Sequence, residues 1–432
     1  MRSPAPLPSQ RSLVSSVRSL GAAHWQLLIL LGVASFFEGY DFNIITVALT
    51  PLRASFRIDQ ATASAWIAVI YLGGLPAVLA ARRADRQGRR AMLLLSLAGY
   101  TVMTAATAAT TSIETFVAVQ FAARFFLVTQ AAITWTIVAE ELPAHARGIG
   151  FGWLAMLSAL GTGWSAILYG AVLSPFHLSW KWLYVAALPV LLAGARLRTV
   201  LGETPRHQAV MAAPAGDSRW TDIFRPPHRA RLLLVCGTAV LANLTAQATV
   251  YVVDFMESQR HVPASAASLT LVASGAVALP VLLLAGSVSD RVGRKPVLCG
   301  FLVVSVAGFY CFFHLAHGEV ALLASLTLVY AGVFGSWPTG TGFGAELFPT
   351  RLRAFGNSFS KGAAYTGQSA SFLVAGTLMT GAASLPAAVL ILSAGPLLAA
   401  LLVAVFFPET GGKELEQITS GAGRRTPDAP VI

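Results

Sequence analysis

The sequence predicts an all-α polytopic membrane protein with twelve transmembrane helices in two parallel six-helix repeats. Composition is the first indication, because 55% of the 432 residues are hydrophobic and only 11% are charged, whereas soluble domains carry roughly 25% charged residues. The second is about a dozen apolar runs near the roughly 20 residues that span a bilayer as a helix. The third is internal repetition, since polar motifs recur at offsets of 205 or 206 residues.

The apolar runs are rich in Ala, Leu, Gly and Val and lack the alternation of outer-membrane barrel strands, so helices are predicted. Small residues such as Gly161 and Gly163 are expected to allow close helix contact. The length of the first run does not fit a cleavable signal peptide. The runs lie at 25–50, 63–81, 91–109, 115–138, 148–173, 180–200, 231–256, 266–287, 297–316, 319–345, 355–381 and 384–407.

Two halves follow from the order of these runs. Because each half contains an even number of helices, both halves enter the membrane from the same side. The repeats are therefore parallel and related by an axis along the membrane normal. The predicted boundaries are an N-terminal tail at 1–24, a first half at 25–200, a linker at 201–230, a second half at 231–407 and a C-terminal tail at 408–432.

The net charge of +11 orients the protein in the membrane rather than indicating nucleic-acid binding. With the N-terminus in the cytoplasm, 24 of the 30 Lys and Arg residues fall in cytoplasmic segments, four fall outside, and Arg124 and Lys361 lie within apolar runs. This bias follows the positive-inside rule. It predicts cytoplasmic termini, a plasma (inner) membrane location and contact of the basic loops with anionic lipid headgroups.

The repeated polar motifs lie in the predicted cytoplasmic loops. Carboxylates there can cap helix N-termini, and arginines can reach acidic partners. We expect a network that locks the cytoplasmic face; the alternative is that the arginines only fix the topology. The network consists of Asp85, Arg89, Glu140 and Arg147 in the first half and Asp290, Arg294, Glu346 and Arg353 in the second.

These motifs resemble those of a known family. Residues 286–295, Gly-Ser-Val-Ser-Asp-Arg-Val-Gly-Arg-Lys, resemble the signature loop of the major facilitator superfamily. The segments at 346–350 and 408–413 resemble its sugar-porter branch, and Glu-Gly-Tyr-Asp at 38–41 resembles the first helix of its aromatic-acid and other metabolite:proton symporters. The resemblance implies a central cavity lined by helices 1, 4, 7 and 10. Ala81 and Val128 depart from it, because each replaces an expected glycine.

Charged residues inside the apolar runs are the candidates for transport chemistry, because charges at the bilayer centre are costly and usually functional. Glu38 and Asp41 share one face of helix 1, and Asp41 and Arg124 are both predicted to lie roughly 14 Å below the outer surface. An Asp41–Arg124 ion pair would leave Glu38 unpaired. Proton coupling is therefore assigned to Glu38, Asp41 and Arg124, with either acid as the carrier. A purely structural ion pair is the alternative.

The other interior charges are interpreted differently. Asp254 is expected at the membrane interface, and Lys361 is expected to extend toward the cytoplasm or to pair with a loop acid.

Uncharged polar residues on the same helices can contact substrate or bond neighbouring helices, and both alternatives remain open. The candidates are Asn43, Gln130, Asn243, Gln247 and Tyr251. Trp337 is a candidate stacking wall for the substrate, with an interfacial anchor or a packing residue as the alternative. In helix 10, Gly335, Pro338 and Gly340 belong to a run of glycines around a proline, which predicts a bendable gating segment; a static kink is the alternative.

The predicted function is secondary active transport by alternating access. No phosphate loop, metal-ligand spacing or nucleophile–base pair is present, so neither an enzyme nor a cofactor is predicted. The expected activity is proton-coupled symport of a small organic solute, either a carboxylated or aromatic metabolite or a sugar, by a monomer. A proton-driven exporter of drugs or metabolites and a non-transporting membrane sensor or receptor are the alternatives.

Overall fold

A computed structural model describes residues 20–77, 80, 89–142, 147–200, 223–226, 228–348, 350–381 and 383–409. Within these ranges the helices follow the predicted runs in order, and no strand occurs. The first half contains α1 (Ala22–Phe56), α2 (beginning with Gln60–Leu72), α3 (Arg89–Thr107), α4 (Ile113–Glu141), α5 (Arg147–Ile167 with the π-helical turn Leu168–Leu173) and α6 (Trp182–Val185 and Val190–Val200).

The second half repeats this order, so the predicted fold class is confirmed. Eight helices of the described part are long and apolar enough to cross a membrane. The second half contains α7 (His228–Ala242, Ala246–Val250 and Val252–Gln259), α8 (Ala264–Val292), α9 (Arg294–Tyr310 with the π-helical turn Cys311–Leu315), α10 (Glu319–Glu346), α11 (Thr350–Thr380) and α12 (Leu385–Leu392 and Ala394–Phe406).

Three helices differ from the predicted runs. Helix α1 continues past residue 50 through Pro51 to Phe56. Helix α6 is divided before Pro189, which has no N–H to continue the helical hydrogen bonds. Helix α7 is interrupted at 243–245 although no proline is present. There the Asn243 side chain donates to the Ala239 carbonyl at 2.8 Å, and such side-chain bonds compete with the backbone ladder.

Close glycine contacts join α1 to α5 and α7 to α11 at equivalent positions. A Cβ on Gly161 would lie 1.8 Å from the Phe36 carbonyl oxygen, and one on Gly367 would lie 2.4 Å from the Val240 carbonyl oxygen. These two glycines are 206 residues apart, so the packing follows the sequence repeat. The close contact expected at Gly161 is confirmed, whereas a Cβ on Gly163 would meet nothing within 4 Å.

The two halves pack together along α2 and α11 and along α1 and α7. Ser369 donates to the Ala68 carbonyl at 2.9 Å, and the rings of Tyr71 and Phe372 lie 5.1 Å apart. One apolar core cluster contains residues of both halves. Tyr71 of this cluster packs against the guanidinium of Arg124 on α4.

Candidate functional site

Arg124 is buried in the first half without a hydrogen-bonding partner for its terminal nitrogens. Its exposed fraction is 2%, and neither Nη1 nor Nη2 has a hydrogen-bonding partner in the part of the chain that the structure describes. The guanidinium carbon lies 5.0 Å from the Phe42 ring centroid and 4.7 Å from the Tyr71 ring centroid, and these rings meet edge to face. Cation–π contact with these two rings, which we call the aromatic corner, offsets part of the cost of burying the guanidinium. The N–H groups of Nη1 and Nη2 still lack hydrogen-bond acceptors among the described residues, which is costly for a buried charge.

Asp41 lies near Arg124 without direct contact. The two groups interact electrostatically, yet no ion pair within 4.0 Å joins these two described residues. The carboxylate instead accepts a hydrogen bond of 3.2 Å from Thr104 on α3, and Asp41 is 3% exposed. The expected direct ion pair is therefore absent from this conformation, in which the Nη1 and Nη2 atoms of Arg124 are buried without a hydrogen-bonding partner among the described residues.

Glu38 is within electrostatic range of Lys361 of the other half. The two charges interact electrostatically, although the distance between their charged atoms exceeds the 4.0 Å of a direct ion pair. Lys361 is exposed, and Glu38 is partly buried with an Oε2 atom that has no hydrogen-bonding partner. The expectation that Lys361 extends toward the cytoplasm or pairs with a loop acid stays a prediction.

Asp254 belongs to a cluster that joins α7 to α1 and α2. Its carboxylate is fully buried and accepts from Arg53 Nη1 at 2.6 and 2.8 Å, from Gln60 Nε2 at 2.8 Å and from Thr50 Oγ1 at 3.1 Å. The Arg53–Asp254 contact is the ion pair found among the described residues. The side chain of Asp254 is therefore buried between the halves, and its depth relative to the membrane interface stays a prediction.

Tyr251 extends this cluster by one turn. Its hydroxyl donates to the Gln60 carbonyl at 2.9 Å and lies 2.9 Å from the Ser64 hydroxyl. These contacts close the space between the halves at the end that the charge distribution predicts to be outside. We call this set the inter-half cluster; it comprises Thr50, Arg53, Gln60, Ser64, Tyr251 and Asp254. Sequence reasoning missed it, apart from Tyr251, because each member lies near a helix end, where polar residues are ordinary.

The other polar candidates have different surroundings. Asn43 bonds helices together, since its amide donates to the Thr162 carbonyl at 3.1 Å and to Ser165 at 3.0 Å. Gln130 donates to Thr134 at 3.1 Å and has an unpartnered Oε1.

In the second half, Asn243 accepts from Gln368 at 3.1 Å. The buried amide of Gln247 has no partner for either polar atom, while Trp337 is 49% exposed.

The predicted gating elements remain predictions. Helix α10 runs without interruption through Gly335 and Gly340, and the side chain of Pro338 lies outside the described part. Of the cytoplasmic network, Asp85 and the side chains of Glu140, Arg147, Asp290, Glu346 and Arg353 also lie outside it. The backbone N–H groups of Arg294 and Lys295 donate to the Glu409 carboxylate at 2.8 and 3.2 Å, so this acid caps α9.

A separate cleft does not contain these charges. It has a volume of about 290 Å³ and lies against α3 and α4, where Met92, Leu95, Phe125 and Phe126 form much of its wall. Its lining is mostly apolar, with the hydroxyls of Ser96 and Thr129, and contains no charged side chain. No group of three or more His, Cys, Asp or Glu side chains suited to a metal ion occurs among the described residues.

Comparisons with known proteins agree with this architecture. The family model of the Major Facilitator Superfamily matches residues 31–253 and 233–428. The chain is 25% identical over 447 residues to the "Niacin transporter NiaP" of Acinetobacter baylyi, covering 94% of this chain and 99% of the relative. It is 24% identical to the "Putative niacin/nicotinamide transporter NiaP" of Bacillus subtilis, covering 90% and 98%.

Solved structures share the fold at lower identity. A D-xylose–proton symporter matches with a TM-score of 0.73 at 18% identity, covering 90% of this chain and 99% of that one. The nucleoside transporter NupG matches with a TM-score of 0.72 at 16% identity, covering 88% and 100%.

Proposed function

The chain belongs to the Major Facilitator Superfamily, whose members are secondary transporters and not enzymes, and on that premise we propose that it imports a small aromatic carboxylate together with a proton. The observation that carries the proposal is the buried guanidinium of Arg124, whose Nη1 and Nη2 atoms have no hydrogen-bonding partner among the described residues. A buried charge without a counter-ion is costly, and interior charges in membrane proteins usually serve function.

The shape of the site favours a carboxylate. A guanidinium presents two parallel N–H donors that match a carboxylate in a bidentate pair. Phe42 and Tyr71 form an aromatic corner beside it, and Phe42 is 39% exposed, so a planar ring can contact it from the open side. Niacin is an aromatic carboxylic acid, so the names of the two bacterial relatives agree with this chemistry.

The interior acids supply the proton coupling in this proposal. Binding an anion at Arg124 adds one negative charge to an interior that already holds Glu38 and Asp41. A proton on either carboxyl offsets that charge. Because the proton and the anion then enter together, a proton gradient can drive accumulation of the solute.

The orientation follows from the charge bias. With both termini on the cytoplasmic side of a plasma (inner) membrane, the inter-half cluster lies at the external end of the protein and closes the external entrance. The cluster then has to open for solute to load from outside and to close before solute is released to the cytoplasm. Attachment of a membrane-impermeant reagent to an Arg57→Cys variant in intact cells tests this orientation, since Arg57 is exposed at that end. Labelling only after the cells are broken would contradict it.

The central test is uptake of nicotinate and nicotinamide by proteoliposomes under an inward proton gradient. The two probes share a ring and differ in charge. We expect nicotinate to accumulate and Arg124→Gln to reduce its uptake at least about 30-fold, as loss of about 2 kcal/mol of binding implies. Arg124→Lys should retain part of the activity because it keeps the charge without the bidentate geometry.

The controls separate substrate recognition from folding and direction. Arg57→Gln, an exposed substitution outside the site, should transport as the wild type does. Equal uptake of nicotinate by wild type and Arg124→Gln would refute the assignment of Arg124. Proton-driven movement of the probe only in the opposite direction, measured in inside-out vesicles, would identify an exporter. Binding without flux would identify a sensor.

A further inference from the structure

The cleft against α3 and α4 faces away from the buried Arg124. On α4 it is lined by Phe125, Phe126 and Thr129. These residues are turned around the helix from Arg124 by about 100°, 200° and 140°. On α3 the cleft is lined by Leu95, which is 59% exposed. The cleft therefore opens on the side of the first half that faces lipid, and it is separate from the proposed solute site.

The walls of the cleft suit a hydrocarbon chain. The cleft has a volume of about 290 Å³, and binding sites for polar small molecules present polar groups to the ligand. Here both hydroxyls of the lining are engaged within their own helices. Ser96 donates to the Leu93 carbonyl at 3.0 Å, and Thr129 donates to the Phe125 carbonyl at 2.8 Å. What remains for an occupant is an apolar surface.

The cleft extends along α3 from the basic end of that helix. Arg89 is the first residue of α3, and it shares one helix face with Met92 and Ser96, which line the cleft. Seven residues beyond Met92, about 10 Å along the helix, the two helices come into contact, because a Cβ on Gly99 would lie 2.8 Å from the Phe126 ring. The cleft thus begins one turn from an arginine and ends at this contact.

Arginines of two helices meet at this end of the first half. Arg90 donates from Nη2 to the Arg198 carbonyl at 2.6 Å, so the start of α3 touches the end of α6. Arg196 and Arg198 are exposed. Together with Arg89 they place four arginines at these two helix ends, and neither helix contains an acid. Basic clusters at a helix end beside the membrane attract anionic lipid headgroups.

We propose that the cleft holds one acyl chain of an anionic phospholipid whose phosphate binds to the arginines of α3 and α6. The phosphate oxygens accept hydrogen bonds from the guanidinium groups, and the chain lies along α3 between Met92 and Gly99. Burial of the chain favours any phospholipid, whereas the arginines favour an anionic one. This site is independent of the solute that the protein transports.

The headgroup is tested by native mass spectrometry of the purified protein in detergent. Dioleoyl phosphatidylglycerol and dioleoyl phosphatidylcholine have the same chains and differ in net charge. We expect phosphatidylglycerol to bind at least about fivefold more tightly, the effect of a single arginine near a membrane surface. Arg90→Gln/Arg198→Gln should weaken phosphatidylglycerol binding at least about tenfold and leave phosphatidylcholine binding unchanged. Arg57→Gln, which removes an exposed arginine at the opposite end, is the matched control and should bind both lipids as the wild type does.

The acyl chain is tested by filling the cleft. Leu95→Trp and Met92→Trp each place an indole where the chain lies, and we expect either to weaken the binding of both lipids at least about tenfold through lost apolar burial. Val102→Trp is the matched control. It lies seven residues after Leu95 on the same face of α3 and is 50% exposed, but it does not line the cleft. Unfolding temperatures in lipid-free detergent that match the wild type show that the variants fold.

Three results would overturn the proposal. Equal affinity of the wild type for the two lipids would exclude a headgroup site at the arginines. Unchanged lipid binding in folded Leu95→Trp and Met92→Trp would exclude a chain in the cleft, as would displacement of phosphatidylglycerol by an equal concentration of glycerol phosphate, which has no chain. A wild-type dimer in detergent that Leu95→Trp dissociates would identify the cleft as a contact between two copies of the protein.

Discussion

The helix pairs α1–α5 and α7–α11 share one packing scheme and use it differently. Gly161 and Gly367 bring each pair into backbone contact. Four residues beyond each glycine, Ser165 and Ser371 each accept a hydrogen bond from the partner helix. In the first half the donor is the side chain of Asn43, whereas in the second it is the backbone N–H of Gln247.

Helices α1 and α7 also differ in whether they are continuous. Helix α1 is unbroken over 35 residues, so its backbone donors are used within the helix. Helix α7 is interrupted at 243–245, and Ser371 satisfies a backbone donor that follows the interruption. The repeat therefore preserves the helix contact while the second copy gives up a continuous helix.

The charges follow the same division. Glu38 lies on the continuous helix, and the position 205 residues later is the uncharged Asn243. Lys361 lies on α11, and the position 206 residues earlier is the uncharged Ala155. Neither Glu38 nor Lys361 thus has a charged counterpart related by the repeat. The packing is shared by both halves, whereas these interior charges are not.

The interrupted helix α7 contributes Tyr251 and Asp254 to the inter-half cluster. Removal of the Arg53–Asp254 ion pair is expected to have the largest effect of the variants that test this comparison. We expect Arg53→Gln to destabilise the closed external end by about 3 kcal/mol, because it leaves the buried Asp254 carboxylate without its cation. Opening should centre on α7 rather than on α1. Hydrogen–deuterium exchange should therefore rise more at 252–259 and 60–72 than at 28–44.

Two variants control this prediction. The double variant Arg53→Gln/Asp254→Asn replaces the ion pair by neutral amides and should recover most of the protection. Arg57→Gln alters an exposed residue at the same helix end and should leave exchange unchanged. Unaltered exchange in Arg53→Gln would mean that the apolar contacts between the halves, and not the ion pair, keep this end closed.

The sequence predicts the helices and the repeat because apolar length and recurring motifs are local properties. Glu38, Asp41 and Arg124 are identifiable for the same reason, since few charges interrupt the apolar runs. The contacts of Asp254 are not predictable in this way. They depend on how two halves of similar sequence dock, and an offset of 205 residues relates equivalent positions rather than touching ones.

The interruption of α7 is a second feature that local pattern does not predict. The apolar run of α7 contains no proline. At the interruption, the Asn243 side chain donates a hydrogen bond to the Ala239 carbonyl, which would otherwise accept from the helix backbone. Asparagine occurs within helices without this effect, as Asn43 does in α1, where neighbouring α5 residues accept its amide hydrogens. The same residue type therefore preserves or interrupts a helix according to the acceptors that surround it.

The glycine contacts provide a smaller and more local test of the comparison. In Gly161→Ala the new Cβ would lie 1.8 Å from the Phe36 carbonyl oxygen, so α1 or α5 must shift, at a cost of about 1–3 kcal/mol for overpacking. Gly367→Ala should cost less, because its Cβ would lie 2.4 Å from the Val240 carbonyl oxygen and the interruption that follows lets α7 adjust. Thermal unfolding in detergent measures both.

Gly163→Ala is the matched control, since a Cβ there would meet nothing within 4 Å. It should raise the unfolding temperature slightly or leave it unchanged, because alanine favours the helix over glycine. Equal losses in Gly161→Ala and Gly367→Ala would indicate that α7 is as rigid as α1 at this contact. The interruption of α7 would then not make the second half easier to deform at this contact than the first.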